Sequence, residues 1–179
     1  MKQDLEVTLA LLSRTPKALD ALLRDLPETW TMRNEGEGTW TAFDVIGHLI
    51  HGELTDWIPR AKRLLEFGES KAFDKFDRTA QDRESRGKLL GELLDEFATL
   101  RARNIAEIRA MNLSAENLER KGLHPVLGTV TLGNLLATWA AHDLTHLHQM
   151  SRIMAYQYRE QVGPWTVYLG VMQCNGHSS

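Results

Sequence analysis

Cystine bridges play no part within this chain, because it holds a single cysteine, Cys174, and one thiol cannot pair with itself. That scarcity agrees with a reducing compartment, and Cys174 is expected to be an incidental thiol. No stretch approaches the roughly 18 uninterrupted apolar residues of a membrane-crossing helix, so no membrane partner is expected. The opening run Met1-Lys2-Gln3-Asp4-Leu5-Glu6 lacks the apolar segment of a secretory leader, and the expected setting is cytoplasmic. A surplus of positive charge is also missing. Lys and Arg total 21 against 24 Asp and Glu, a net charge of −3, so no broad positive field exists for a phosphate backbone and nucleic acid is not an expected partner.

What is present is helical periodicity. The 179 residues suit one domain spanning 1–179, since a chain of this size can bury most of its apolar surface around one core. Residues 2–26 read as helix in two pieces, with Thr15-Pro16 supplying a cap and a first-turn proline and Leu19, Leu22, Leu23 and Leu26 an apolar face. After a polar connection from Pro27 to Gly38, Thr41 and Asp44 form a capping signal. A helix then carries Val45, Ile46, Leu49 and Trp57, with Pro59 expected to kink or restart it and Phe67-Gly68 to end it. Glu69 to Arg83 has no clear period and reads as a loop. Leu90, Leu93, Leu94, Phe97, Leu100, Asn104, Ile105, Ile108 and Met111 trace the clearest helical stripe. The charges between them, Arg101 among them, and the preceding Arg83, Glu84 and Arg86 are expected to face solvent. A small hairpin or extended loop follows around Gly122 to Val130. Thr131 then caps a fourth long helix reaching about Tyr156, and Trp165 to Met172 can add a short helix. Four substantial helices without a convincing run of strands predict an all-α, four-helix bundle, whose sites are built from side chains projecting inward.

The histidines are unevenly placed: His48 and His51 lie together, as do His142, His146 and His148. On a helix, His142 and His146 stand about 40° apart and about 6 Å along the axis, so both can face one ion. They also sit in the stripe of Leu135, Trp139, Gln149 and Ile153, which predicts that they point inward. Buried imidazoles need hydrogen-bond or metal partners, and a shared divalent cation satisfies two at once. His48, beside Val45 and Leu49, is the best third ligand. His51, about 60° further round and nearer the polar edge, is the alternative, with a place at the surface or behind the ligands more expected than direct ligation. His148 should point away. His124 and His177 carry no expected role. Glu53 and Asp143 are candidates for orienting an imidazole N–H or accepting a proton, although the step of about 100° from His142 favours a helix-surface or helix-helix pair for Asp143 and Glu53 can equally be solvated. Gln149, three residues after His146, can bond a metal-bound water or cap a polar pocket.

Three segments then carry a resemblance: Trp40-Thr41-Ala42-Phe43-Asp44-Val45-Ile46-Gly47-His48-Leu49, Ala141-His142-Asp143-Leu144-Thr145-His146-Leu147-His148-Gln149, and Val162-Gly163-Pro164-Trp165. In this order they resemble the DinB-like proteins, in particular the branch called type 2 of the DinB superfamily. The resemblance implies an up-and-down four-helix bundle holding one divalent metal ion through His48, His142 and His146. Zn or Ni comes first for such a donor set, with Mn or Fe also accommodated. Proteins of similar sequence include thiol-dependent S-transferases and isomerases that use low-molecular-weight thiols, and others are labelled metal-dependent hydrolases. The expected function is therefore a metal-dependent S-transferase or hydrolase acting on a small molecule, with a low-molecular-weight thiol as one partner. The alternative is a non-catalytic bundle in which the ion is structural or supports a homodimer. A fourth protein ligand from His51 or Glu53 would favour the alternative, and an open cleft would favour the enzyme.

Overall fold

The structure, a computed structural model, describes residues 4–174. The first rod of the bundle is broken into α1 (Leu5–Leu12) and α2 (Thr15–Leu23). Asp4 caps α1 by accepting from the backbone N–H groups of Glu6 and Val7, whereas the α2 cap is Arg14 and Thr15 already lies inside the helix. A single turn, α3 (Glu28–Thr31), lies within the polar connection. The second rod comprises α4 (Ala42–Thr55) and α5 (Trp57–Phe67), broken at Asp56, three residues before Pro59. Pro59 has no N–H to give to the Thr55–Asp56 turn, so the ladder lapses there. A short helix α6 (Ala80–Glu84) follows, then the third rod α7 (Leu90–Ala110), the turn α8 (Ala115–Glu119), and an antiparallel hairpin of β1 (Lys121–His124) with β2 (Gly128–Thr131). The fourth rod is α9 (Leu132–Tyr156), and 3-10 turns cover Gly163–Tyr168 and Gly170–Met172.

The expected all-α four-helix bundle is present, but its path is not a simple alternation of directions. One core cluster joins Leu19 and Leu23 to the start of α4 (Val45, Ile46, Leu49), the start of α7 (Leu93, Leu94, Phe97) and the end of α9 (Met150, Ile153). The other joins Leu9 and Leu12 to α5 (Ile58, Ala61, Leu64), the end of α7 (Ile105, Ile108) and the start of α9 (Leu132, Leu135, Leu136). The second and third rods therefore run the same way, as do the first and fourth. Parallel neighbours cannot be joined by a tight turn, so residues 68–89 travel back along the bundle.

That crossover corrects the expectation of a featureless loop from Glu69 to Arg83. It contains a 3-10 turn (Gly68–Ser70) and α6, whose Ala80 and Gln81 are buried against α4. Five residues are too few to display a helical period, and docking rather than local propensity holds α6 in place. Gly47 permits the approach: a Cβ there would collide with Ser85 Oγ and stand 3.1 Å from Gln81 Cβ. Among the described residues, no helix is long and apolar enough to cross a membrane.

Candidate metal centre

The two helices that carry the histidines both start from reciprocal caps. Asp44 N–H donates to Thr41 Oγ1 (3.1 Å) while Thr41 N–H donates to Asp44 Oδ2 (2.8 Å); Thr131 and Asn134 do the same for α9, both at 3.0 Å. Fixing these starts fixes the rotation of each helix. His48 of α4 thereby faces His142 and His146 of α9 across the bundle. His48 and His146 are buried and His142 is half-buried.

His142 Nε2 lies 3.2 Å from His48 Nε2 and 3.1 Å from His146 Nε2, and one ligand atom from each ring falls within 4.8 Å of the other two. Nitrogens bound tetrahedrally at about 2.0–2.1 Å from one ion stand about 3.3 Å apart, so the donor spacing suits a small divalent ion. The protonation states agree. Burial, reinforced by neighbouring imidazoles and by Arg78, pushes His48 down to about 3; burial and the other two rings push His142 down to about 2. His146 is also lowered by burial, with Gln149 and Asp143 pulling the other way. Neutral rings offer lone pairs, which is what a metal needs.

Of the three rings, only His146 has its tautomer set by a hydrogen bond among the described residues. Its Nδ1–H donates to Gln149 Oε1 at 2.7 Å, leaving Nε2 as a lone pair turned to the centre. The buried Nδ1 atoms of His48 and His142 have no hydrogen-bond partner among the described residues. Aromatic rings enclose the trio. Trp40 packs on His48 with centroids 4.8 Å apart and stacks near His146 at 6.4 Å, Trp57 meets His142 at 5.2 Å, and Phe76 of the crossover meets His48 at 5.4 Å.

A sequence profile of the DinB superfamily matches residues 11–150. The chain belongs to the DinB superfamily. Among solved structures it is similar to YfiT from Bacillus subtilis, described as a probable metal-dependent hydrolase with an unusual four-helix bundle topology. The two share 21% identity over 88% of this chain and 89% of that one, with a TM-score of 0.75. It is also similar to TT2238, described as a four-helix bundle protein, at 22% identity over 85% of this chain and 99% of that one, with a TM-score of 0.51. At such identities the likeness establishes the fold alone. No curated protein matches the chain.

In this DinB superfamily chain the other candidate residues take other roles. Glu53 and Asp143 are 1% and 0% exposed, so neither is solvated, and neither bonds an imidazole. Both bind Arg101, itself 1% exposed, which corrects the expectation that Arg101 faces solvent. Arg101 donates to Asp143 at 2.5 and 2.9 Å, to Glu53 Oε1 at 2.8 and 3.0 Å, and to the Leu12 carbonyl at 2.8 Å. Trp139 Nε1 donates to Glu53 Oε1 (3.0 Å) and Asn104 to Oε2 (2.9 Å). Burial pushes the Glu53 carboxyl up, and Arg101, Asn104 and Trp139 pull it back. Both Glu53 oxygens meet donors, so no oxygen is left to hold a carboxyl proton against an acceptor. His51 is buried rather than at the surface, and its Nδ1 lies 3.0 Å from Glu84 Oε2 of α6. His148 is exposed, as expected. His124 turns inward on its own hairpin, where Nδ1 accepts from the N–H groups of Val126 and Leu127. His177 lies outside the described residues.

Above the three rings opens a cleft of about 480 Å³, walled by α5, the crossover, the hairpin and α9. Sequence reasoning missed Asp56, the one acidic residue among those lining it. Asp56 is 9% exposed. Its Oδ1 lies 2.5 Å from Arg60 Nε in an ion pair too poorly aligned for a hydrogen bond. Burial raises its carboxyl to about 6, with Arg60 opposing. The signal in the sequence was Pro59, whose helix break leaves Asp56 at the junction of α4 and α5.

Proposed function

We propose that this chain is a metal-dependent enzyme that binds one divalent ion through His48, His142 and His146 and acts on a small molecule by S-transfer from a thiol or by hydrolysis. The supporting observation is the convergence of three neutral imidazole nitrogens, 3.1–3.2 Å apart in two of the three pairs, at the floor of an open cleft. A divalent ion held there would lower the pKa of a water or thiol set against it. The protein's own part is to orient and exclude. Gln149 holds the His146 ring, Trp40, Trp57 and Phe76 pack around the imidazoles, and Asp56 is the cleft carboxylate poised near neutrality to take up a proton. His51 is engaged by Glu84, and Glu53 by Arg101. Among the described residues no fourth side chain therefore closes the donor set, which favours an enzyme over a purely structural ion.

The double substitution His142→Ala/His146→Ala tests the assignment. Protein purified without a nickel affinity step should carry about one ion per chain, and the double variant close to none. Its helical circular dichroism should persist, because the two apolar clusters, at about 1.5–3 kcal/mol for each fully buried large side chain, hold the bundle without the ion. Unchanged metal content would overturn the assignment. A panel of thiols and electrophiles with Zn-, Ni-, Mn- and Fe-reconstituted protein then separates S-transfer from hydrolysis.

A further inference from the structure

The cleft is uneven in charge. Its lining includes three cations, Arg60 of α5 with Lys75 and Arg78 of the crossover, against the single acid Asp56. Asp56 is buried and already paired with Arg60. The acids flanking this wall are also committed: Asp74 to Arg63 and Asp77 to Arg83. Arg60 is positioned in advance. Asp56 holds its Nε side, the Asp74 carbonyl accepts from Nη2 at 3.3 Å, and its guanidinium lies 5.3 Å over the Phe73 ring. The wall formed by β2 and α9 is neutral or apolar, with Val130, Leu135 and Thr138. All three proposed ligands are neutral, and among the described residues the one acid lining the cleft, Asp56, is already paired with Arg60.

We propose that the cleft selects a small anionic molecule, whose negatively charged end lies along Arg60, Lys75 and Arg78 while its reacting atom faces the three imidazoles. This rests on the metal-enzyme assignment above for the role of the imidazoles, but the charge preference can be measured apart from it. In a partly enclosed cleft the attraction between a unit charge and a cation a few ångströms away is screened less than in bulk water, enough to rank ligands of equal size.

The test uses three thiols that differ chiefly in tail charge: 3-mercaptopropionate, 2-mercaptoethanol and cysteamine. Each is titrated into the cobalt(II)-loaded chain, followed by thiolate-to-cobalt absorption, and into the metal-free chain, followed by amide NMR shifts of cleft residues. In both forms mercaptopropionate should bind at least about tenfold more tightly than cysteamine, with 2-mercaptoethanol between them, and the gap should narrow as salt is raised. Lys75→Gln/Arg78→Gln, two exposed positions, should shrink the gap to about threefold with unchanged helicity. Adding Arg60→Gln should abolish it. Equal binding of the three thiols in both forms, no binding by any of them in either form, or a gap unmoved by the double substitution overturns the proposal. Cobalt ligation that ignores the tail charge would leave the metal assignment standing while this one falls. A charge preference in the metal-free chain with no cobalt–thiolate band would do the reverse.

Discussion

His142 and Asp143 are adjacent on α9, yet they belong to two regions built on opposite physical terms. His142 joins a cluster of neutral rings that opens to a cleft, while Asp143 joins a sealed group of full charges around Arg101. In the first, two buried nitrogens have no hydrogen-bond partner among the described residues and three imidazole Nε2 atoms converge. In the second, Arg101 and both carboxylates are matched donor to acceptor. A step of about 100° around the helix separates a site arranged to accept something from one that is complete. The carboxylates that could have entered a metal shell are thereby removed from it, which leaves an all-imidazole donor set.

The largest expected effect comes from breaking the complete region. Arg101→Ala leaves Glu53 and Asp143 buried without their counter-charge, and loss of one partner from such a group costs about 3–5 kcal/mol. Urea denaturation should read this loss directly, and metal bound per folded chain should remain near one, because Arg101 touches none of the three ligand rings. A stability within about 1 kcal/mol of the parent would show that the buried charges are better solvated than their burial implies.

How much of this could be read beforehand follows from the same contrast. The long rods, the Thr41 and Thr131 caps and the inward stripe of His142 and His146 were legible, because local periodicity and capping act within one helix. His48 was legible as a ligand candidate by its apolar neighbours. Arg101 was not. It stands four residues after Phe97 and three before Asn104, on the inward stripe, but an arginine there reads as solvated, and only the arrival of Glu53 and Asp143 from two other helices makes its burial tolerable. The direction of the rods was also hidden, since a 3.6-residue period has no sign along the bundle axis. The crossover was opaque for a related reason: Phe76, Lys75 and Arg78 gain their place from docking on α4 through Gly47, a long-range contact with no local pattern. Glu84 reaches His51 only because α6 docks there.

Asp56 stands between the two regions, a buried carboxylate with an ion-pair partner but no aligned hydrogen bond at Oδ1. Its carboxyl rises from 3.8 to about 6 on folding. The folded chain therefore holds the proton more tightly than the unfolded chain between those values. The stabilisation that follows is fully present below about pH 4 and is lost as pH rises through about 6, a swing on the order of 2–3 kcal/mol. Asp56→Asn should remove that slope, so that the variant gains on the parent as pH rises from 4 to 7. Denaturation midpoints across that range give the measurement, and parallel curves for the two proteins would place Asp56 with the satisfied carboxylates instead.

The smallest effect should come from Gln149, because it acts on one ligand and through orientation alone. The His146 ring can bind through either nitrogen, and the 2.7 Å bond from Nδ1–H to Gln149 Oε1 selects Nε2 as the free lone pair. Gln149→Leu removes the acceptor and leaves an unpaired N–H in a buried position. His48 and His142 have no such partner to lose among the described residues. Metal affinity measured against a competing chelator should fall about 10–100-fold, equivalent to about 1.4–2.7 kcal/mol, with the stoichiometry still near one. Gln149→Glu restores an acceptor and should recover most of the affinity. If Gln149→Glu binds as weakly as Gln149→Leu, the amide serves packing rather than the tautomer, and His146 would join His48 and His142 as a ring whose orientation the protein leaves to the ion.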